Sequence, residues 1–433
     1  MRADAMTSPA TLADWLSYIG RVHPRSIEMG LDRIRRVAER LDVLPPAPLN
    51  IVVAGTNGKG SVTVFASALL RARGMRVGTA LSPHLVRFNE RIQIDGREAD
   101  DVTITEALES VERARGDVLL TYFEFSILAT LLIFRRARCD ATVLEVGLGG
   151  RLDAVNLVDG DVAVITSIGI DHVEYLGPDR ESIGAEKAGI LRAGVPLVYG
   201  EVDAPHSVLA RAGALAAPVY RREQAFGATP TASGFRLWFT TKVGMASFDG
   251  LPAPRLALGN VATATQAVAL VLDRGPDRAT LLKAIETATL AGRFERLVHR
   301  GCDLIVDVAH NPHGATFLGS QLGATRRRGR TFAIAGFLKD KDAAGIVAAL
   351  RDEIDDWTFV ETRTERGQSA QACFDRVRAA LPLKENVRAR ALSLAEALEM
   401  ATTTAGPDDR LVVFGSFDVV ERLHESLTGG GTA

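Results

Sequence analysis

The sequence of 433 residues contains few cysteines, few lysines and no long apolar segment. Its three cysteines (Cys139, Cys302 and Cys373) are far apart and lack the spacing of a metal site, which fits a reducing cytosol. No apolar run approaches the ~20 residues of a membrane-spanning helix, and charges interrupt the first 50 residues. We therefore expect a cytoplasmic protein without a signal peptide or membrane contact.

A large net charge is also missing. The formal charge is −2 at pH 7, which argues against nucleic acid or an anionic membrane as the main partner. Hydrophobic residues make up 47% and charged residues 24%, as in ordinary globular proteins. Because 433 residues exceed one typical hydrophobic core, two domains are expected.

Lysine is scarce although positive charge is not. Only seven of the 51 basic residues are lysine, so arginine is used wherever a plain positive charge suffices. A lysine in this sequence is therefore more often than usual a residue whose function requires lysine rather than arginine. Lys59 and Lys187 both lie inside motifs described below, and Lys339 and Lys341 form another cluster.

The most informative motif is Gly-Thr-Asn-Gly-Lys-Gly-Ser at residues 55–61, directly after the apolar run 50–54. A buried strand that ends in glycines and continues as a helix can bind a polyphosphate through backbone N–H groups and the helix N-terminus. Lys59 would neutralise phosphate charge, and Ser61 would face a metal ion. The spacing differs from the standard P-loop, because Gly60 separates Lys59 from Ser61. An ordinary strand-to-helix turn remains the alternative.

Short apolar runs alternate with helical patterns, which is typical of parallel α/β sheets. The first alternation predicts strands at 51–54, 142–146, 162–166 and 196–199 and helices at 61–73, 121–137 and 260–273. The second predicts strands at 304–308, 332–335, 357–360 and 411–414. We expect one domain over 1–290, a linker at 291–296 and a second domain over 297–433.

Several polar residues follow or interrupt these strands, where ligands collect in open α/β sheets. Glu145 lies within an apolar strand, so it should be either a buried ion-pair partner or a magnesium ligand. His172 ends another strand, although magnesium prefers oxygen ligands. Lys187 lies in a helical segment, and the alternative to a functional role is an exposed charge on that helix. Asp307 and His310 end a strand of the second alternation.

Ten ordered motifs together resemble the folylpolyglutamate synthase and dihydrofolate synthase family, within the Mur-type ATP-dependent amide ligases. These motifs are GTNGKGS (55–61), SPHLVRFNERI (82–92), TYFEFS (121–126), LEVGLGGRLDAVN (144–156), TSIGIDH (166–172), EKAGI (186–190), GRFE (292–295), DVAHNP (307–312), KDKD (339–342) and FGSF (414–417). The stretch from Trp15 to Leu31 resembles the bifunctional bacterial type.

The resemblance implies an N-terminal P-loop-type ATPase domain with a mostly parallel sheet and a smaller Rossmann-like α/β C-terminal domain. The C-terminal domain would bind glutamate and form part of the ATP site. The implied cofactors are ATP and two Mg²⁺ ions, and Lys187 matches a lysine that family members carry as a carbamate. Val155 and Glu295 depart from the family, which commonly has threonine and often glutamine there.

The resemblance also implies roles for individual residues. Metal ligands would be Ser82, Glu145 and His172, and the same Glu145 and His172 would act in catalysis with Lys59 and Lys187. ATP contacts would be Thr56, Asn57, Gly58, Lys59, Gly60, Ser61, Asn260, Arg293 and Asp307. The pterin substrate would meet His23, Thr121, Tyr122, Phe123, Glu124, Leu152, Asp153 and Ala154, and glutamate would meet His310 and Ser416.

The implied reaction is addition of L-glutamate to dihydropteroate and to tetrahydrofolate mono- and polyglutamates through an acyl phosphate. A monofunctional folylpolyglutamate synthase is the alternative. A peptidoglycan Mur ligase is disfavoured, because only 54 residues precede Gly55, too few for a nucleotide-sugar domain of about 100 residues. A P-loop switch or kinase would leave the second alternation unexplained, and intact Lys59, Glu145, His172 and Lys187 argue against a non-catalytic binding protein. We expect a monomer that binds only small molecules.

Overall fold

The structure, a computed structural model, describes residues 9–25, 27–325, 329–380 and 388–429. Within these residues the chain divides into two compact units. The first unit extends to Pro254 and includes Leu258–Ala288, and the second contains Arg255–Ala257 and the chain from Thr289 onward.

The first unit is built on an eight-stranded sheet with the order β4-β3-β2-β5-β1-β6-β7-β8. Only the two edge pairings β2–β3 and β3–β4 are antiparallel; the other pairings are parallel. Every residue of β5 is buried, as expected for a strand covered on both faces. The strands are β1 (Leu49–Ala54), β2 (Val77–Ala80), β3 (Ile92–Ile94), β4 (Arg97–Glu98), β5 (Ala141–Glu145), β6 (Val162–Ile165), β7 (Leu197–Tyr199) and β8 (Val219–Arg221).

Helices complete this unit, and the three that the sequence predicts are among its most buried. The helix that follows the glycine loop is buried without interruption from Gly60 to Leu70, which explains why its pattern is apolar on nearly all sides. The helices are α1 (Leu12–Val22), α2 (Asp32–Leu41), α3 (Lys59–Ala72), α4 (Asp101–Arg115), α5 (Tyr122–Arg136), α6 (Val173–Leu176), α7 (Arg180–Lys187), α8 (His206–Ala214), α9 (Leu258–Val271) and α10 (Arg278–Thr287).

A small antiparallel sheet packs against α9. Its strands are β9 (Phe226–Thr231), β10 (Gly234–Thr241) and β11 (Gly244–Leu251), in the order β11-β10-β9. Gln266 of α9 is fully buried and satisfies both backbone groups of Thr240: its Oε1 accepts from the N–H at 2.9 Å and its Nε2 donates to the carbonyl at 2.9 Å. A buried amide in an alanine-rich helix is thus explained by the strand beside it.

The second unit has a six-stranded sheet with the order β12-β13-β17-β14-β15-β16, in which only the edge strand β12 is antiparallel. Phe337, Trp357, Phe359 and Phe414 lie in its core. The elements are β12 (Glu295–His299), β13 (Cys302–Val306), α11 (Pro312–Ala324), β14 (Thr331–Ala335), α12 (Ala343–Leu350), β15 (Asp356–Phe359), α13 (Ala370–Ala380), β16 (Arg388–Ala391), α14 (Leu394–Thr404), β17 (Arg410–Phe414) and α15 (Phe417–Gly429).

The predicted fold class is confirmed: two α/β units, the larger with a mostly parallel sheet and the smaller with a mixed sheet. The predicted strand 304–308 ends at Val306, so Asp307 begins the following loop. The domain limits of 290 and 297 stay a prediction, although residues 295 and 296 already belong to β12. Among the described residues, no helix has the length and apolar character needed to cross a membrane.

Candidate active site

Three neighbouring parallel strands end at the same edge of the larger sheet. Val53 of β1 pairs with Glu145 of β5 on one side and with Val164 of β6 on the other. The glycine loop 55–61 follows β1, Glu145 ends β5, and the TSIGIDH segment 166–172 follows β6. The topology therefore places three of the family-like motifs at one edge.

The glycine loop is closely packed at two positions. A Cβ atom at Gly55 would lie 1.9 Å from Oγ1 of Thr166, and one at Gly58 would lie 2.6 Å from Oδ1 of Asn260. Both glycines have positive φ angles, so a side chain is excluded by conformation as well as by space. Gly58 immediately precedes α3, whose N-terminus carries partial positive charge. The predicted contact residue Asn260 thus lies directly against the predicted phosphate loop.

Two N–H groups of the loop are engaged by the neighbouring strand end. Thr56 N donates to Ser167 O at 2.8 Å, and Asn57 N donates to Ser167 Oγ at 3.0 Å. These two N–H groups therefore already have acceptors within the protein.

Two lysines reach this loop from different elements. The Nζ atom of Lys59 donates to Thr56 O at 3.3 Å, and that of Lys187 donates to Gly55 O at 3.0 Å. Lys187 is only 3% exposed, so it is not a surface charge. Burial, with a smaller contribution from the charge of Lys59, lowers the pKa of Lys187 to about 7. A lysine that is about half neutral near pH 7 can act as a nucleophile, unlike an ordinary lysine, which is a fixed cation at that pH.

Ser82 and Glu145 form an oxygen-rich pair beside the loop. Glu145 is 4% exposed, and its Oε2 accepts from Ser82 N at 3.0 Å. The Oγ of Ser82 is buried and has no hydrogen-bond partner among the described residues. Carboxylate and hydroxyl oxygens are ligands that Mg²⁺ prefers, so these residues fit the metal that the resemblance implies. No three His, Cys, Asp or Glu side chains cluster as a metal site within the described ranges.

His172 has an unusual backbone conformation. Its φ of 51° and ψ of 41° lie in the left-handed region, which costs a non-glycine residue of the order of 1 kcal/mol. Its N–H donates to Oδ1 of Asp171 at 2.9 Å, and the charge of Asp171 raises the pKa of Lys187 against the larger effect of burial. The His172 loop is therefore electrostatically coupled to the buried lysine.

The structure brings together the three predicted pterin segments. Gly30, in the loop after His23, donates its N–H to Leu152 O at 3.3 Å. At the start of α5, Thr121 and Glu124 form a capping box, and the same Glu124 carboxylate meets the guanidinium of Arg33 at 3.0 Å. The stretch from Ile27 to Arg33 is thereby joined to both other segments.

Two residues that sequence reasoning did not single out complete this network. Glu28 lies 3.5 Å from Nε2 of His23 and 3.3 Å from Nη1 of Arg33. Together with the Arg33–Glu124 pair, these contacts form a chain from His23 to the helix start at Glu124. The arginine follows Gly30-Leu31-Asp32 in the sequence, and that local pattern contains no sign of a partner 91 residues away.

The turn after β5 also requires glycine. A Cβ atom at Gly147 would lie 2.5 Å from the ring of Phe123, so this ring closes over the turn. Asp153 is 3% exposed and accepts from Leu148 N at 2.8 Å and Val155 N at 2.9 Å. Burial raises the pKa of Asp153 to about 6.

Arg91 and His84 form a further pair that sequence reasoning missed, although both belong to the SPHLVRFNERI motif. Arg91 Nε donates to His84 Nδ1 at 2.7 Å, and its guanidinium lies 5.6 Å from the ring centroid of Phe88 and 5.9 Å from that of Tyr122. Burial, assisted by the charge of Arg91, lowers the pKa of His84 to about 4. A neutral imidazole therefore accepts from an arginine beside predicted substrate residue Tyr122.

In the second unit, two of the remaining predicted residues, Arg293 and His310, lie near the ring of Phe417. The Arg293 guanidinium lies 5.2 Å from the Phe417 ring centroid, and the His310 ring lies 6.3 Å from it. Asp307 accepts from Phe294 N at 2.8 Å and Ala309 N at 2.7 Å. Separately, buried Ser416 accepts from Val419 N at 3.2 Å and caps α15.

Both departures from the family have a structural context. Val155 is buried in the core of the first unit, where an apolar side chain needs no partner. Glu295 accepts from Gly292 N at 2.8 Å and lies 3.1 Å from Nε2 of His424. A carboxylate–imidazole pair therefore stands where relatives often have an amide.

Comparison with known proteins decides the family. Residues 53–198 match the Mur ligase middle domain, and residues 292–417 match the Mur ligase glutamate ligase domain. The dihydrofolate synthase/folylpolyglutamate synthase of Escherichia coli K12 is 40% identical over 416 residues, which cover 96% of this chain and 95% of that protein. The chain belongs to the dihydrofolate synthase/folylpolyglutamate synthase family of Mur ligases.

Two solved members of this family have the same fold as this chain. E. coli FolC in complex with DHPP and ADP aligns with a TM-score of 0.90 at 39% identity, covering 98% of this chain and 99% of FolC. A bifunctional folylpolyglutamate synthase/dihydrofolate synthase with Mn, AMPPNP and L-glutamate bound aligns with a TM-score of 0.87 at 40% identity, covering 98% and 99%. The expected family and its activity, ATP-dependent glutamate ligation, are confirmed.

Proposed function

We propose that this protein adds L-glutamate both to dihydropteroate and to tetrahydrofolate mono- and polyglutamates, converting ATP to ADP and phosphate. The observation that carries the proposal is the meeting of the glycine loop, Lys59, Lys187 and the Ser82–Glu145 pair at one strand edge. These groups would then bind the ATP phosphates and neutralise their charge at one place.

Carboxylate activation explains the need for ATP. A free carboxylate does not react with an amine in water, because hydroxide is a poor leaving group. Transfer of the γ-phosphoryl group to a carboxylate oxygen gives an acyl phosphate, whose leaving group is phosphate. Negative charge spreads over the phosphoryl oxygens during this transfer, so positioned cations and N–H groups lower its barrier. The segment Gly58–Ser61 supplies the N–H groups and Lys59 supplies a cation.

Ser82, Glu145 and His172 would hold Mg²⁺. When bound, divalent metal neutralises charge on the transferring phosphoryl group and fixes its orientation. The unpartnered hydroxyl of Ser82 and the buried carboxylate of Glu145 support this role, and a relative contains Mn together with AMPPNP. The left-handed conformation at His172 is a strained feature of the kind that clusters at functional sites.

Lys187 is proposed to react with carbon dioxide. Its neutral amine attacks the carbon atom of CO₂ and loses one proton, which gives a stable N-carboxylate anion. With a pKa of about 7, about half of the Lys187 side chains are neutral near pH 7. The product replaces a buried cation by an anion beside Gly55, and that anion is suited to orient a second Mg²⁺ ion.

The pterin substrate is proposed to bind among His23, residues 121–124 and residues 152–154. Hydrogen bonds through Gly30 and the Arg33–Glu124 ion pair hold these segments together. Nucleotide binding by Arg293 and Asp307 stays a prediction. Glutamate binding by His310 and Ser416 also stays a prediction.

Amide formation completes the reaction. The free amine of L-glutamate attacks the acyl carbon, a tetrahedral intermediate forms, and phosphate leaves with one oxygen of the original carboxylate. A proton must leave the attacking nitrogen in the same sequence. Water has to be excluded while the acyl phosphate exists, because hydrolysis would waste ATP.

An ADP-release assay with two acceptors tests the proposal. The purified chain is given ATP, Mg²⁺ and L-glutamate with either dihydropteroate or a tetrahydrofolate monoglutamate, and product mass is measured. We expect ADP release with both acceptors and a mass increase of one glutamyl residue. Release with tetrahydrofolate alone would contradict the bifunctional assignment, and no release with either acceptor would contradict the ligase.

A further inference from the structure

The loops that follow β1 and β6 are linked through one hydroxyl group. Oγ1 of Thr56 accepts from Gly169 N at 3.0 Å and donates to Gly169 O at 3.1 Å. The backbone N–H of Thr56 donates to Ser167 O at 2.8 Å. Because both its N–H and its hydroxyl are engaged by the β6 loop, Thr56 is better placed to hold that loop than to bind a phosphate.

The next residue strengthens the same link. Ser167 Oγ accepts from Asn57 N and donates to Asn57 O, each at 3.0 Å. Oγ1 of Thr166 also donates to Asn57 O, at 2.6 Å. Thr56 and Asn57 of the glycine loop are thus joined to Thr166, Ser167 and Gly169 on the β6 side.

On its other side, the β6 loop is held by charged residues. Ile168 N donates to Oε2 of Glu201 at 2.9 Å, and Arg180 Nε donates to Ile168 O at 3.0 Å. Arg180 is itself paired with Asp203 at 2.9 Å. The segment between Thr166 and Gly169 is therefore fixed from two directions, and it continues three residues later into left-handed His172.

We infer that Thr56 is a positioning residue that sets the place of His172 relative to the phosphate loop. Thr56 acts through Gly169, so its hydroxyl governs divalent-metal affinity more than nucleotide affinity. This inference rests on the proposed roles of the glycine loop in ATP binding and of His172 in metal binding. It also changes the role expected for Thr56 from a phosphate contact to a support of the metal site.

Three variants test the inference. Thr56→Val keeps the shape of the side chain and removes both hydroxyl hydrogen bonds, whereas Thr56→Ser keeps the hydroxyl. The control is Thr130→Val, because buried Thr130 Oγ1 donates to Ser126 O at 2.7 Å within α5 and does not reach the site. Mn²⁺ binding is measured by electron paramagnetic resonance with AMPPNP present, and metal-free ADP binding is measured by calorimetry.

We expect Thr56→Val to weaken Mn²⁺ binding by roughly tenfold, because the two hydrogen bonds between the Thr56 hydroxyl and Gly169 are lost. The affinity for metal-free ADP should change by less than about twofold. Thr56→Ser should restore most of the Mn²⁺ affinity, and Thr130→Val should leave it unchanged. Unchanged Mn²⁺ affinity in Thr56→Val would overturn the inference. An equal loss of metal-free ADP affinity would also overturn it, since Thr56 would then be a direct nucleotide contact.

A fourth variant covers the case in which Thr56→Val does not fold. Ser167→Ala removes the link to Asn57 from the opposite loop, and the same selective loss of Mn²⁺ affinity is expected; its absence counts against the inference. Failure of the proposed function is separately visible, because the wild-type chain would then show no metal-dependent AMPPNP binding at all.

Discussion

The Nζ atom of Lys187 lies 3.0 Å from the carbonyl oxygen of Gly55, so a buried lysine from α7 contacts the first residue of the glycine loop. Gly55 has no room for a side chain, because Thr166 fills the space. A change at Lys187 is therefore transmitted directly to the segment that we propose binds ATP.

Replacing Lys187 by arginine tests its chemistry. Lys187→Arg keeps a positive charge, but a guanidinium does not form a carbamate, so we expect kcat to fall about a hundredfold or more. Ligation is measured by ADP release with dihydropteroate. The matched control is Lys283→Arg, since exposed Lys283 pairs with Glu286 on the surface of α10. Full activity of Lys187→Arg would remove this residue from the mechanism.

The pKa of Lys187 predicts how carbamate formation depends on pH. Its folded-state pKa of about 7 lies below the ordinary value of 10.5, so the neutral amine becomes abundant as pH rises through 7. With ¹³CO₂ at fixed concentration, the carbamate signal in the NMR spectrum should increase between about pH 6 and 8. A signal that is absent or independent of pH in this range would contradict the assignment.

The same shift has a consequence for stability. Between about pH 7 and 10.5 the unfolded chain binds the Lys187 proton and the folded, unmodified chain does not. Stability should therefore rise with pH across this window. Lys187→Met should show a smaller increase than wild type in urea unfolding without CO₂, and an equal increase would show that burial does not depress this pKa.

Arg33 should affect the pterin substrate more than the chemical step. Arg33→Met removes the ion pair with buried Glu124, whose carboxylate keeps its contacts with Thr121. We expect KM for dihydropteroate to rise about tenfold or more with a small change in kcat, because a buried charge loses its partner. Exposed Arg35, two positions along α2, gives the control Arg35→Met. A fall in kcat at constant KM would contradict a role in substrate positioning.

Glu295 predicts a pH effect in the second unit. Burial raises the pKa of its carboxyl group, but hydrogen bonds from His424 and Gly292 outweigh burial and leave that pKa below the ordinary value of 4.5. The contribution to stability is present above pH 4.5 and is lost as pH falls through the lower folded-state value. Glu295→Gln should flatten the decline of Tm between about pH 5 and 3.5, with a change of ~1 kcal/mol or less.

The control for this measurement is Glu286→Gln, which alters an exposed pair with Lys283. Its Tm profile should follow that of wild type. If Glu295→Gln has the same slope as wild type, the pair with His424 does not contribute to acid stability.

Much of the fold was predictable because strong local signals agree with the tertiary environment. β1 and β5 are mostly apolar and almost entirely buried, as expected for strands covered on both faces, and glycines mark the start of α3. The antiparallel sheet was mostly missed, because β11 is largely exposed and lacks a clear apolar alternation. β11 is an edge strand that pairs with β10, and the pattern of its own residues does not identify it as a strand.

The site was predictable where a short stretch of sequence contains the signal, as in the glycine loop and in the apolar strand that contains Glu145. It was not predictable where side chains distant in sequence meet. The link between Arg33 and Glu124 joins residues 91 positions apart, and the burial of Lys187 is invisible in a segment that resembles a surface helix. Thr56 illustrates a third limit, because its motif does not reveal which neighbour its hydroxyl contacts.

Transfer of an oxygen isotope tests the central claim most directly. Dihydropteroate labelled with ¹⁸O in its carboxylate is converted with ATP, Mg²⁺ and L-glutamate, and the released phosphate is analysed by mass spectrometry. An acyl phosphate requires that one carboxylate oxygen leaves with phosphorus, so we predict one ¹⁸O atom in each phosphate formed. Unlabelled phosphate accompanied by amide product would contradict activation of the carboxylate at this site.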